Sequence, residues 1–128
     1  MSRAWLLAAL VHAGCGGGDS AFDEALAAAN AKEAQALALG VVMPCDQVDQ
    51  CSSLVFANPT KGCGTLHFQP YSLVSATAGA ASAASGEQRD LAAVAQALDK
   101  PYPLACPFFV EAPPPLACAA GRCQVAVP

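Results

Sequence analysis

Polar residues interrupt the apolar ones with different rhythms along this chain, and the rhythms divide it. Residues 4–11 (AWLLAALV) form an unbroken apolar run behind Arg3. Residues 20–40 (SAFDEALAAANAKEAQALALG) follow a helical pattern. Ser20 is placed to cap, Asp23 and Glu24 fall in the first turn where the helix dipole favours acid, and Gly40 is placed to stop the helix. The apolar face of this helix is thin. Phe22, Leu26 and Leu37 are its large side chains at compatible spacing and alanine fills the rest, so a stalk or loosely docked helix is expected.

From Val41 the texture changes to short segments broken by turn residues. Residues 51–57 (CSSLVFA) predict a strand, 58–62 (NPTKG) a turn, and 63–74 one or two further strands interrupted at Pro70. Ser85-Gly86-Glu87-Gln88 fits a capping box opening a helix to about Leu98, with Leu91, Val94, Ala95 and Leu98 on one face and Pro101 beyond its end. The residues before it, 75–85, read as a loop or a weak helical lead-in. Pro101, Pro103, Pro107, Pro113, Pro114 and Pro115 then impose an extended path, with Cys106 and residues 108–110 as inward anchors. The end of the chain predicts a hairpin turning at Gly121, with Cys118 and Cys123 flanking it. The fold expected is a small α+β, disulfide-stabilised domain with a short antiparallel sheet and one packed helix. Its divisions are a signal peptide (1–14), a tether with the alanine-rich helix (15–40) and a cysteine-rich domain (41–128).

Composition narrows the function classes. The chain has 128 residues, a formal net charge of −4, 55% apolar residues and 12% charged ones. A nucleic-acid binder needs a basic face, so nucleic acid is not an expected partner. Much of the apolar fraction is alanine, which buries little area, while aromatic residues make only 6%, so cross-links are expected to compensate. Seven cysteines in so short a chain fit an oxidising compartment. The run at 4–11 is far shorter than the roughly 20 residues of a membrane-spanning helix and reads as an export signal.

The cysteines divide into one and six. His12-Ala13-Gly14-Cys15 follows the apolar run and precedes Gly16-Gly17-Gly18, a flexible tether. This segment resembles the lipobox of bacterial lipoproteins, departing from it at His12, where the family carries an aliphatic residue. The resemblance implies cleavage before Cys15 and transfer of a diacylglyceryl group to its thiol. It also implies a membrane partner through that lipid and a place in the bacterial cell envelope, at the outer membrane or in the periplasm; without lipidation the chain would be secreted. Lipidating Cys15 leaves an even set, Cys45, Cys51, Cys63, Cys106, Cys118 and Cys123, with fifteen possible connectivities. A bridge across a hairpin already closed by its turn removes little chain entropy. The favoured arrangement therefore takes the Cys45/Cys51 pair to the Cys118/Cys123 pair and leaves Cys63 with Cys106. The spacing of these cysteines, with the terminal 118–127 segment, resembles small cysteine-rich exported proteins of Proteobacteria and Myxobacteria, a likeness that carries no catalytic residue.

No catalytic pattern is legible. There is no C-x-x-C for a zinc or thioredoxin-like site, so no metal or other cofactor is expected. His67 with Asp90 or Asp99 would be the components of nucleophilic chemistry, but His67 between Leu66 and Phe68 reads as the outward residue of an alternating strand. Asp46 and Asp49 lack the ligand series of a calcium loop. The expectation is a non-enzymatic envelope lipoprotein or secreted structural or binding module, with an envelope protein as a further partner. The alternative is a secreted peptidase inhibitor presenting residues 106–115.

Overall fold

A computed structural model of the chain describes residues 19–60, 65–99 and 111–128. The element order is α1 (Asp19–Leu39), a 3-10 turn (Val48–Gln50), β1 (Cys51–Ala57), β2 (Leu66–Ser72), α2 (Ala78–Leu98), β3 (Leu116–Ala119) and β4 (Arg122–Val125). Strands β1 and β2 pair antiparallel, as do β3 and β4, giving two small sheets. With its disulfides, this is a small α+β fold.

Of the two alternatives for α1, a stalk or a loosely docked helix, the stalk is excluded: the helix is docked, with buried alanines in its packing face. Ala29 and Ala36 are fully buried, and on α2 the buried positions are Ala78, Ala81, Ala84, Ser85, Gln88, Ala92 and Ala95. Ala29 and Ala36 stand seven residues, two turns, apart, the α2 stripe recurs mostly at three- and four-residue steps, and these small side chains let the two helices approach closely. The helices run antiparallel, because the end of α1 meets the start of α2 through Thr77 Oγ1 donating to Leu39 O at 2.6 Å, while Lys32 further back pairs with Glu87 at 2.6 Å. Leu37, assigned to the packing face, is exposed; Leu39 packs on the core instead. Ser20 lies inside α1, so it does not cap.

Two further local expectations are corrected. The second helix starts seven residues before Ser85, at Ala78, because its alanines favour helix strongly enough to carry Gly79 and Gly86 in the interior. Ser85 Oγ therefore donates to Ser82 O instead of capping, and Gln88 turns inward. Strand β2 runs unbroken through Pro70, opposite Ser53. Ser72 N–H points away from β1, to Val41 O at 2.8 Å, and two residues back Pro70 presents its nitrogen on that same outer side, where no ladder bond is lost.

The core lies between the helices and one face of the β1–β2 sheet. Leu54, Phe56 and Tyr71 supply its large side chains, packed against Ala36, Ala78, Ala81 and Ala84. Gly40, beside Ala36, sits where a Cβ would fall 2.5 Å from Leu54 Cδ1 and 3.1 Å from Ala36 O. The glycine serves close approach. Gly40→Ala is expected to cost about 1–2 kcal/mol by overpacking, read as a lower urea midpoint with an unchanged m-value.

Both edges of this sheet are covered, which removes the usual hazard of an open two-stranded ribbon. Along β1, α2 supplies Arg89 Nη1 to Val55 O at 2.7 Å, and Gln96 Nε2 to Asn58 O just beyond the strand. Gln88 accepts from Ala57 N at 2.9 Å and donates to Ala57 O at 2.7 Å, standing in for a neighbouring strand. On the β2 edge, Leu66 N donates to Glu111 Oε2 at 2.6 Å. Gln88→Ala strands both polar groups of Ala57 and is expected to cost about 2 kcal/mol in chemical denaturation.

Candidate functional site

The feature with the most chemistry is the junction of the two sheets, where four cysteines meet. The chain leaves α1 and passes along β2 and β4: Val41 O accepts from Ser72 N at 2.8 Å, Val42 O from Cys123 N at 2.8 Å, and Cys45 N donates to Gly121 O at 3.0 Å. The Met43–Pro44 peptide is cis, and Ser72 Oγ donates to Pro44 O. The 3-10 turn then closes the loop: Asp46 N donates to Gln50 Oε1 at 2.6 Å, and Gln50 O accepts from Leu73 N at 2.8 Å.

The hairpin β3–β4 opposes this loop. Its two-residue turn, Ala120-Gly121, has φ of 52° and 73°, left-handed at both positions, the type I′ geometry whose twist matches the strands. Gly121 was the position expected to have positive φ; Ala120 carries it as well, and there the conformation opposes its Cβ. Ala120→Asn, a residue that tolerates this region, is expected to stabilise the chain by about 0.5–1 kcal/mol, seen as a higher melting temperature.

Directly opposed in this hairpin, Cys118 and Cys123 reach across to different residues. Cys45 bonds Cys118 and Cys51 bonds Cys123, with Cα–Cα distances of 6.0 and 5.5 Å and sequence separations of 73 and 72. This is the exchange of the Cys45/Cys51 pair with the Cys118/Cys123 pair that the entropy argument favours. Cys45 and Cys123 are buried, while Cys51 and Cys118 are half-buried, so each bridge joins one buried residue to one half-buried residue. The Sγ atoms of Cys45, Cys51 and Cys123 all lie within 4.8 Å of one another. The two bridges are therefore neighbours, a proximity that the x5 and x4 spacings alone do not reveal.

Other predicted residues are dispersed. His67 is exposed, yet it lies on the helix-covered face of β2 and not on the outward one: its ring stacks on Phe56 with centroids 5.3 Å apart, and Nε2 sits 2.7 Å from Glu33 Oε1 of α1. Its neighbours Leu66 and Phe68 take the opposite face. The pairing with Glu33 ties α1 to β2, an exposed contact of the kind worth little to stability. Asp46 and Asp49 are exposed in the loop between Cys45 and Cys51. Sequence reasoning placed Gln88 in a capping box and missed its inward role against Ala57, whose one signal was a large polar residue on a stripe of alanines.

Cys15, Cys63 and Cys106, with the signal at 1–14 and most of the 106–115 segment, lie outside the described residues. No described helix is long and apolar enough to cross a membrane. No family model matches the sequence, and no curated protein or solved structure matches it significantly.

Proposed function

We propose that this chain is a non-enzymatic module of the bacterial cell envelope, held at the membrane by a lipid on Cys15 and serving a structural or binding role outside the cytosol. One observation carries the reading: two disulfides join the middle of the chain to its terminal hairpin. Such bridges persist where thiols are not kept reduced, which favours an exported protein. Lipidation of Cys15 follows from its place after an apolar run and from the even number of cysteines it leaves. The glycines at 16–18 give the folded part reach from the membrane, and a bridged fold with a thin, alanine-rich core holds its shape there. Durable anchoring takes more than one acyl chain, and a diacylglyceryl group supplies two.

Mass spectrometry of the N-terminal peptide from the membrane fraction of the native host tests this. The expected product begins at Cys15 and carries added acyl mass. A mature chain that keeps Met1, or one that begins elsewhere without acyl mass, overturns the lipoprotein reading.

A further inference from the structure

We propose that the four cysteines of the sheet junction form a convertible site: once their disulfides are opened by a dithiol reductant, Cys45, Cys51, Cys118 and Cys123 hold one thiophilic divalent cation, of which zinc is the type. This goes beyond the envelope reading and does not depend on it.

Three observations carry the inference. The first is convergence. Three of the sulphurs lie within 4.8 Å of one another and the fourth, Cys118 Sγ, is 2.05 Å from Cys45 Sγ. In a tetrahedron with zinc–sulphur bonds of about 2.3 Å the sulphurs stand about 3.8 Å apart. The two bonded pairs must open to that separation, Cys45, Cys51 and Cys123 already lie within 4.8 Å of one another, and Cys118 must swing in toward Cys51 and Cys123.

The second is a backbone frame that joins the same segments as the bridges and that the bound cation would hold in their place. The backbone bonds from Cys45 N to Gly121 O, Cys123 N to Val42 O, Ser72 N to Val41 O and Leu73 N to Gln50 O hold the loop, β2 and β4 together. The β3–β4 ladder sets Cys118 opposite Cys123. The third is access. Cys118 and Cys51 are the half-buried residues, one in each bridge, and theirs are the sides from which an attacking thiolate would enter.

The chemistry balances as follows. A reductant thiolate attacks Cys118 Sγ, forms a mixed disulfide there and expels Cys45 as thiolate. The reductant's second thiolate then attacks its own sulphur in the mixed disulfide, releases Cys118 and leaves the reductant as a cyclic disulfide. Two electrons have passed to the bridge, and the two protons of the dithiol are available to the freed cysteines. Attack at Cys51 opens the other bridge in the same way, expelling Cys123. Binding of the cation to the four thiols releases four protons and leaves a tetrathiolate site of charge −2 beside Arg122.

The test uses the full chain, reduced anaerobically with a phosphine that is then removed. Cobalt(II) is added as the spectroscopic probe and zinc as its competitor. The expected result is one cobalt per chain, with thiolate charge-transfer and tetrahedral ligand-field bands that one equivalent of zinc abolishes. Cys45→Ser or Cys123→Ser is expected to abolish the tetrathiolate spectrum. Alkylation of the reduced wild-type chain with and without zinc reads the same point without a variant, with zinc protecting Cys45, Cys51, Cys118 and Cys123 and leaving Cys15, Cys63 and Cys106 reactive. The proposal is overturned if no tetrahedral spectrum forms, if zinc protects a different set of thiols, or if the reduced chain loses its helical circular dichroism and zinc does not restore it.

Discussion

Alanine at Cys45, Cys51, Cys118 and Cys123 together lowers stability by about 7 kcal/mol, whereas removal of either bridge alone costs about 3 kcal/mol. The asymmetry follows from topology. The first bridge to form closes a loop of 73 or 72 residues, which removes about 4.4 kcal/mol of unfolded-chain entropy at 25 °C. The second then closes a ring of only roughly a dozen residues through the Cys45–Cys51 and Cys118–Cys123 segments, worth about 3 kcal/mol. Each bridge therefore backs up the other, and losing one leaves the long loop closed. Folded domains are stable by about 5–15 kcal/mol, so losing both takes a chain at the lower end of that range to the unfolded state. Urea unfolding of Cys45→Ala/Cys118→Ala, of Cys51→Ala/Cys123→Ala and of the fourfold variant reads the pattern. Two equal and additive losses of about 3.5 kcal/mol would contradict it.

Phe56→Ala is the second large effect, expected to cost about 3–5 kcal/mol. Phe56 is fully buried and is the largest of the fully buried side chains among the described residues. Its neighbours in the core are mostly alanines, which have no side-chain length with which to close a void, so the space left behind stays open. Its ring also carries the stack to His67, which pairs with Glu33 on α1. The loss is expected to appear in the denaturation midpoint and to be larger than that of Leu54→Ala, because the void left by the ring is larger. A cost below about 1.5 kcal/mol would mean that the sheet and helices collapse onto one another more freely than an alanine-lined interface allows.

The β1 strand was legible from its apolar run and the terminal hairpin from Gly121, because both are local signals. The docking of α1 was not, since a face judged by its large side chains misses a stripe of alanines that packs through closeness. The start of α2 was hidden because Gly79, Ser82 and Gly86 read as loop residues, while burial of the alanines between them against α1 and the sheet decides the matter. His67 alternates with Leu66 and Phe68 as a strand residue should, but alternation alone does not say which face the helices cover. At the cysteines, loop entropy pointed to the two segments that are joined. Which cysteine of each pair meets which depends on how the 41–50 loop lies along β4, and that is set by backbone bonds such as Cys45 N to Gly121 O. The mutual proximity of the two bridges has the same origin.

The pairing of Cys45 with Cys118 and of Cys51 with Cys123 is the claim on which the rest stands, and a non-reducing peptide map of the chain from its native host tests it most directly. Trypsin separates Cys118 from Cys123 at Arg122, and an aspartate-specific protease separates Cys45 from Cys51 at Asp46 and Asp49. The prediction is two cross-linked peptide pairs, one joining Cys45 to Cys118 and the other Cys51 to Cys123. A Cys45–Cys51 or Cys118–Cys123 link, or free thiols at all four positions, would contradict it.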